Sequence, residues 1–178
     1  MKVLIILLSL SVMYQDSSST IFDFKNAKNT SNWYVVNDGV MGGLSKGTLS
    51  INNLGNGLFQ GYVTTDNNGG FSSIRYEFNK KDVSKFKHLI IKVKGDGKDY
   101  NFRIKEKSSQ RYSYTSTFKT TGERQTIKIP LSSFYPSYRG YNLDKPNYLA
   151  GVMEEIAILV GNKKKEKFSL EIESILLD

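Results

Sequence analysis

The sequence predicts an all-β protein folded as a single-domain β-sandwich of the jelly-roll type. Short runs of alternating apolar and polar residues recur along the chain, and nearly every run is bounded by Gly, Asn, Asp or Ser. This alternation places one face of a strand against a core, and the bounding residues are typical of antiparallel turns. A length of 178 residues suits one domain with a full core.

The expected strands follow one another in chain order and share this period of two, less regularly over residues 112–118. They cover residues 21–24, 33–37, 48–51, 58–65, 72–78, 89–93, 102–104, 112–118, 127–129, 156–160 and 168–175. Gly61 lies inside one of them and predicts a bulge or a close backbone contact. A helical turn is expected over residues 82–87, where Asp82 or Ser84 would cap it.

Residues 1–20 are predicted to be a signal peptide, and residues 21–178 the β-sandwich domain. A basic start and a short apolar run precede a polar stretch, and the segment contains no Arg. A membrane span needs about 20 apolar residues, and mitochondrial presequences are rich in Arg. We therefore expect a secreted or periplasmic location with no stable membrane insertion after cleavage. An uncleaved anchor or a buried first strand is the alternative.

Composition narrows the chemistry that the chain can support. The net charge is +8, but Lys92, Lys94, Arg103 and Lys105 alternate with apolar residues, which is typical of a solvated sheet face. We therefore expect no nucleic-acid partner. The absence of cysteine excludes disulfides and thiolate metal sites. His88 is the sole histidine, so histidine-based metal sites are excluded on ligand number.

Two glycine-rich loops hold the most distinctive residues. Residues 33–45 begin as a strand and then turn through Asp38, Gly39, Met41, Gly42 and Gly43, and residues 66–71 repeat this chemistry. Glycine adopts positive φ without steric cost, so these loops turn sharply or approach something closely. We expect the two loops to meet. Neither has the spacing of a phosphate-binding P-loop, and no cofactor is expected.

Three further interpretations of these residues stay open. Asp38, Asp66, Asn67 and Asn68 supply oxygen atoms for calcium, although Asx turns explain the same residues without metal. Asp38 with Asp66 or Glu77 would make a glycosidase carboxylate pair, but the sequence does not give the distance between them. The serine nucleophile motif of hydrolases is absent, and we expect no enzyme. A cluster of aromatic residues suits a protein hot spot, a sugar platform or core packing. Its members are Tyr112, Tyr114, Phe134, Tyr135, Tyr138 and Tyr141, beside Arg111 and Arg139.

Several motifs spread over residues 21–177 occur together. They are Trp33-x-x-x-Asn37-Asp38-Gly39-Val40-Met41-Gly42-Gly43-x-Ser45, Phe59-x-Gly61, Asn67-Asn68-Gly69-Gly70-Phe71-x-Ser73-x-Arg75, Phe134 with Arg139-Gly140, Ile156-x-Ile158-Leu159-Val160, and Phe168-x-Leu170-x-Ile172. Together they resemble the complex I intermediate-associated protein 30 family. The resemblance implies a galactose-binding-like jelly roll and a non-enzymatic assembly factor or chaperone, which acts by protein contact. Its best-known members are mitochondrial, so the resemblance implies a mitochondrial location as the alternative to export.

We therefore expect a protein-binding module, with an exported carbohydrate-binding module on the same fold as the alternative. A sugar-acting enzyme is a third and weaker hypothesis. In the carbohydrate alternative, Trp33 or a tyrosine serves as the stacking platform. The expected binding residues are Trp33, Asp38, Met41, Asn67, Asn68, Phe71, Arg75 and Arg139.

Overall fold

The computed structural model describes residues 19–178, apart from the side chains of Val40 and Met41. The predicted signal peptide lies outside the described residues except for Ser19 and Thr20, which begin the first strand. Among residues 19–178, no helix has the length and apolar character needed to cross a bilayer.

Thirteen strands in the described chain form two antiparallel sheets, which confirms the all-β prediction. The strands are β1 (Ser19–Asp23), β2 (Trp33–Asn37), β3 (Lys46–Ile51), β4 (Gly57–Val63), β5 (Ser72–Asp82), β6 (His88–Lys94), β7 (Asp99–Lys105), β8 (Ser113–Lys119), β9 (Arg124–Pro130), β10 (Tyr135–Tyr138), β11 (Tyr141–Asn142), β12 (Val152–Val160) and β13 (Glu166–Leu177). The six-stranded sheet has the order β3-β4-β13-β6-β9, and β1 pairs with β13. The seven-stranded sheet has the order β11-β10-β8-β7-β12-β5-β2.

The core lies between the two sheets and consists of the inward members of each alternating run. Phe59, Leu170 and Ile172 from the six-stranded sheet are fully buried, as are Phe102 and Ile156 from the seven-stranded sheet. Burial of apolar area is the dominant favourable term in folding, so this single core stabilises the sandwich as one unit.

The local predictions miss the short strands β10 and β11 and differ from the structure in two further places. A short helix, α1 (Phe24–Ala27), follows β1, because the Asp23 carboxylate accepts the Asn26 N–H and caps a helical turn. Over residues 82–87 the structure has no helix but a single hydrogen-bonded turn, in which the Phe86 N–H donates to the Val83 carbonyl at 3.0 Å. Asp82 instead ends β5 opposite Val152, and its carboxylate accepts the Ser84 N–H at 2.9 Å in a tight turn.

Gly61 confirms the predicted close backbone contact. A Cβ atom at this position would lie 2.0 Å from the carbonyl oxygen of Lys46 on the neighbouring strand β3. Real Cβ atoms do not approach an oxygen so closely, so β3 and β4 require glycine here.

Candidate functional site

The two glycine loops meet around one buried carboxylate, as the sequence predicted. Asp38 is 6% exposed. Its Oδ1 accepts the Ser45 N–H at 3.1 Å, and its Oδ2 accepts the Ser45 hydroxyl at 2.5 Å. From the second loop, the backbone N–H groups of Gly70 and Phe71 donate to Oδ2 at 2.6 and 3.3 Å. We call residues 38–43 and 66–71 together the loop junction.

These hydrogen bonds determine the direction in which the pKa of Asp38 is shifted. Burial alone raises the pKa of the carboxyl, but the hydrogen bonds from Ser45, Gly70 and Phe71 together hold the pKa below its usual range. Both oxygens are engaged by N–H or O–H donors. Within residues 19–178, no group of three or more acidic or histidine side chains is placed to hold a metal ion. The Asp38 oxygens therefore hold the two loops together through these hydrogen bonds.

Two glycines of the junction are required by the space around Asp38. A Cβ at Gly43 would lie 2.3 Å from the Asp38 Cγ, and one at Gly69 would lie 2.5 Å from Oδ2. Gly42 has φ of 85°, in the left-handed region that favours glycine. Gly39 differs from all three, since a Cβ there meets no described atom within 4 Å.

The other predicted junction residues are brought to the same place with different roles. Asn67, at φ of 54°, donates its side-chain amide to the Gly42 carbonyl at 3.0 Å. Asn68 is exposed beside it with φ of 58°. Phe71 is half-buried next to Gly161. The Met41 side chain lies outside what the structure describes.

Trp33 is placed in the core, which corrects its assignment as a sugar platform. Its ring is 7% exposed. It stacks on Phe24 and Tyr76 with centroid distances of 5.4 and 5.2 Å, and it meets Phe22 edge-on. The indole therefore anchors the start of β2 and presents no open face for a ligand.

Arg139 lies far from the junction along the sheet. It occupies the turn between β10 and β11, which form one edge of the seven-stranded sheet, whereas β2 forms the other edge. Its guanidinium lies 5.5 Å from the Tyr138 ring centre, and Arg111 lies 5.7 Å from the same ring. The aromatic cluster divides accordingly. Phe134 and Tyr114 are buried, while Tyr141 is strongly exposed.

Strand pairing creates a second site on the outer face of the seven-stranded sheet, the face directed away from the core. Six outward positions align across six strands. They are Tyr34, Arg75, Ala157, Arg103, Thr115 and Tyr135. We call this line the arginine row. Tyr34 is 40% exposed at one end of the row, and Tyr135 is half-buried at the other.

The charges of the outer face are closely packed around Glu155. This carboxylate is 2% exposed; it accepts a hydrogen bond from Lys105 Nζ at 2.9 Å and lies 3.7 Å from Arg75 Nη1. Within residues 19–178, no carboxylate lies within ion-pair distance of Arg103. Burial, and then the charge of Arg75, lower the pKa of Arg103. In the described chain, Arg75 Nε, Arg103 Nε and Ser73 Oγ are buried without a hydrogen-bond partner.

This face corrects part of the prediction for the basic residues. Lys92 and Lys94 on β6 are exposed as predicted, but Lys105 is buried and Arg103 half-buried. Sequence reasoning included Arg75 as a binding residue and missed Arg103, Glu155 and Tyr34. Alternation did mark Arg103 as an outward residue, but its proximity to Arg75 depends on β12 lying between β5 and β7.

The two packed antiparallel sheets define a galactose-binding-like jelly-roll sandwich. A Family 11 carbohydrate-binding module from Clostridium thermocellum, solved with a β-1,3-1,4-mixed-linked tetrasaccharide, has a similar fold. It is 21% identical, with a TM-score of 0.65 over 90% of this chain and 94% of that one. An agarase matches at a TM-score of 0.60 and 11% identity over 90% of this chain and 24% of its own. At these identities the likeness concerns the fold alone.

The chain belongs to the complex I intermediate-associated protein 30 family, whose model matches residues 22–172. Mitochondrial complex I intermediate-associated protein 30 of Drosophila melanogaster is 28% identical over 72% of this chain and 51% of its own length. The Mus musculus protein of the same name is 24% identical over 93% of this chain and 58% of its own. The chain thus spans somewhat more than half the length of these relatives.

Proposed function

We propose that this chain is a non-enzymatic binding module of the assembly-factor type, and that it acts by protein contact. The names of the animal relatives support a role in complex I assembly. The contact surface is the outer face of the seven-stranded sheet together with the adjoining loop junction. The two are continuous, because β2 ends at Asn37 and β5 begins at Ser72, directly beside the loops.

The observation that carries this proposal is the arginine row. Two part-exposed tyrosines border two arginines whose Nε atoms find no partner in the described chain. Tyrosine and arginine are enriched at the hot spots of protein interfaces, where a partner supplies the missing contacts. The row therefore has the composition of a protein-binding surface.

The carboxylates favour binding over catalysis. A glycosidase needs two carboxyl groups free to act on the substrate. Asp38 is saturated by hydrogen bonds, and Asp66 pairs with Lys165 at 2.8 Å and with the Thr64 hydroxyl. Both carboxylates of this pair are therefore engaged by other groups of the chain.

The compartment belongs to the same proposal. The mitochondrial names of the animal relatives support the mitochondrial alternative, and nothing in the comparisons supports secretion.

The proposal is tested by affinity capture from the native source, with complex I subunits quantified by mass spectrometry. The double variant Y34A/Y135A removes both rings from the ends of the row, and we expect it to lose the captured subunits. Tyr62→Ala is the matched control, because Tyr62 is also 40% exposed but lies on the six-stranded sheet. Equal capture by Y34A/Y135A and the wild type would overturn the outer face as the contact surface.

A second candidate, carbohydrate binding, is favoured by the same two tyrosines. Aromatic rings with hydrogen-bonding side chains between them also suit sugar rings, and a carbohydrate-binding module shares the fold. A glycan array run with the wild type and Y34A/Y135A decides between the two candidates. Specific glycan binding that requires the tyrosines, without captured complex I subunits, would replace the protein-binding proposal.

A further inference from the structure

We propose that Arg103 and Arg75 form a carboxylate-binding subsite at the centre of the outer face. Its occupant is a single acidic side chain, Asp or Glu, of the protein partner. This inference rests on the proposed function, since it assumes that the ligand of the outer face is a protein.

The first argument is the excess of positive charge. Two cations, Arg75 and Lys105, share one buried carboxylate, that of Glu155. Arg103 lies close enough to Arg75 to feel its charge but has no carboxylate within ion-pair distance in residues 19–178. Glu77, the next carboxylate on this face, is exposed at the sheet edge and accepts the Tyr34 hydroxyl at 2.6 Å. A buried charge that lacks a counterion is costly, so an anion that contacts Arg103 binds favourably.

The second argument is the unused hydrogen-bonding capacity. Arg75 Nε and Arg103 Nε are buried and unpartnered in the described chain, and so is Ser73 Oγ at the next outward position of β5. Guanidinium groups bind carboxylates through paired N–H donors in a fixed fork. These donors are present on the outer face before any ligand arrives.

The third argument is the space between the arginines. Ala157 separates them in the strand register, and neighbouring strands are about 4.8 Å apart, so the two Cα atoms are about 10 Å apart. The small alanine side chain puts no bulk between the two arginine side chains, and the proposal places one carboxylate between their guanidinium groups. Ala157 is buried but does not belong to the core between the sheets, which makes it the floor of the subsite.

The charges also select among anions. Glu155 and Glu77 lie on the same face and repel a polyanion, which disfavours a nucleic-acid backbone or a run of phosphates. A single carboxylate balances the one excess positive charge of Arg75, Arg103 and Lys105 over Glu155 and Glu77, and it meets less of this repulsion than a polyanion does. The row extends over six strands, about 24 Å from Tyr34 to Tyr135, which matches an extended peptide of about seven residues.

The test uses ¹⁵N-labelled protein and follows the Nε–H signals of the arginines at low ionic strength. The probe is the capped peptide Gly-Ser-Gly-Glu-Gly-Ser-Gly, and its partner carries Gln in place of Glu. We expect saturable shifts of the Arg103 and Arg75 signals with the Glu peptide and none with the Gln peptide. Equal responses to both peptides, or an unmoved Arg103 signal, would overturn the subsite.

Variants sharpen the same experiment. R103Q removes the charge, and we expect at least a tenfold loss of affinity for the Glu peptide. R103K keeps the charge but lacks the forked pair of N–H donors, so its affinity should lie between those of R103Q and the wild type. R111Q is the matched control, because Arg111 is an exposed arginine beside Tyr138 at the far edge of the sheet, and it should bind as the wild type does. If R103Q fails to fold, the wild-type Nε–H signals decide alone.

Two further ligands separate the sources of the anion. Oligogalacturonate presents carboxylates on a sugar, and inorganic phosphate presents an anion without a peptide. Binding of either one in place of the Glu peptide overturns the acidic side chain as the occupant. Capture of complex I subunits that survives R103Q leaves the proposed function standing and removes the subsite. Glu-peptide binding without capture of complex I subunits leaves the subsite standing and removes the proposed function.

Discussion

The Asp38 carboxylate accepts the backbone N–H of Gly70 at 2.6 Å, and this bond joins two loops across 32 residues of sequence. The same oxygen also accepts the Phe71 N–H and the Ser45 hydroxyl. One carboxylate thus satisfies donors from both loops, between the end of β2 and the start of β5. The glycines around it leave the room that this arrangement needs. The glycine-rich motif around Asp38 therefore has a structural role, which is to hold the two loops together.

Asp38→Asn should lower the free energy of unfolding at pH 7 by about 2 kcal/mol, the usual scale for hydrogen bonds to a charged group. The amide group would place a donor against the donors of Ser45, Gly70 and Phe71. Urea unfolding followed by circular dichroism measures the change. Asp66→Asn is the control, because that carboxylate lies in the same junction but is exposed, and its cost should be much smaller.

The stability cost of Asp38→Asn should depend on pH. The folded pKa of Asp38 lies below its usual value of 3.8. Its contribution is therefore fully present above that pH and is lost as the pH falls through the folded pKa. We expect the stability gap between wild type and Asp38→Asn to be constant near neutral pH and to shrink in acid. A gap that stays constant into strong acid would contradict the role of the ionised carboxylate.

Gly43→Ala should be destabilising by about 1–3 kcal/mol, the usual cost of forcing extra atoms into a packed site. The new Cβ would lie 2.3 Å from the Asp38 Cγ and displace the carboxylate from its donors. Gly39→Ala is the matched control, since it adds the same methyl group four residues earlier, where no described atom lies within 4 Å. The measurement is the melting temperature of the two variants, compared in parallel thermal unfolding experiments. Equal melting temperatures would show that the junction tolerates the displacement.

The contrast between these glycines shows how far the sequence could predict the site. Glycine content alone indicated sharp turns and a meeting of the two loops, and both predictions are confirmed. It could not separate Gly39 from Gly43, because the difference is the position of Asp38. Nor could it identify the partners of Asp38, since these are largely backbone N–H groups, which every residue except proline carries.

The outer face shows a different limit. Alternation correctly predicted strands and their inward residues, because burial of one face imposes a period of two. The prediction failed for Lys105 and Arg103, which pack beside Glu155 and Arg75 rather than facing open solvent. Their surroundings come from pairing between strands distant in sequence, with β12 inserted between β5 and β7. Local pattern carries no information on that order.

Trp33 should report the packing of the sandwich directly, since it is the sole tryptophan of the chain. Its 7% exposure predicts a blue-shifted emission and strong protection from acrylamide, both lost on unfolding in urea. Trp33→Ala should cost about 3–5 kcal/mol, because the cavity would open among Phe22, Phe24 and Tyr76. Quenching of the native protein as efficient as that of free tryptophan would contradict the core position.

Glu155→Gln tests the charge balance of the outer face without any ligand. The variant leaves Arg75 and Lys105 without the buried carboxylate that both contact, while the charge of Arg103 still acts on Arg75. Removing one partner of a buried ion pair typically costs about 3–5 kcal/mol, and we expect a loss of that order at low ionic strength. Added sodium chloride should recover part of it by screening the repulsion.

The matched control is Glu173→Gln on the six-stranded sheet. Glu173 also faces two cations, Lys25 at 3.1 Å and Arg124 at 3.7 Å, but all three side chains are partly open to water. Exposed pairs of this kind contribute at most about 1 kcal/mol, so Glu173→Gln should change little. Chemical unfolding of both variants in 20 mM and 500 mM salt makes the comparison. If Glu155→Gln costs no more than Glu173→Gln, the cations of the outer face do not strain the free protein, and the charge argument for an acidic ligand fails.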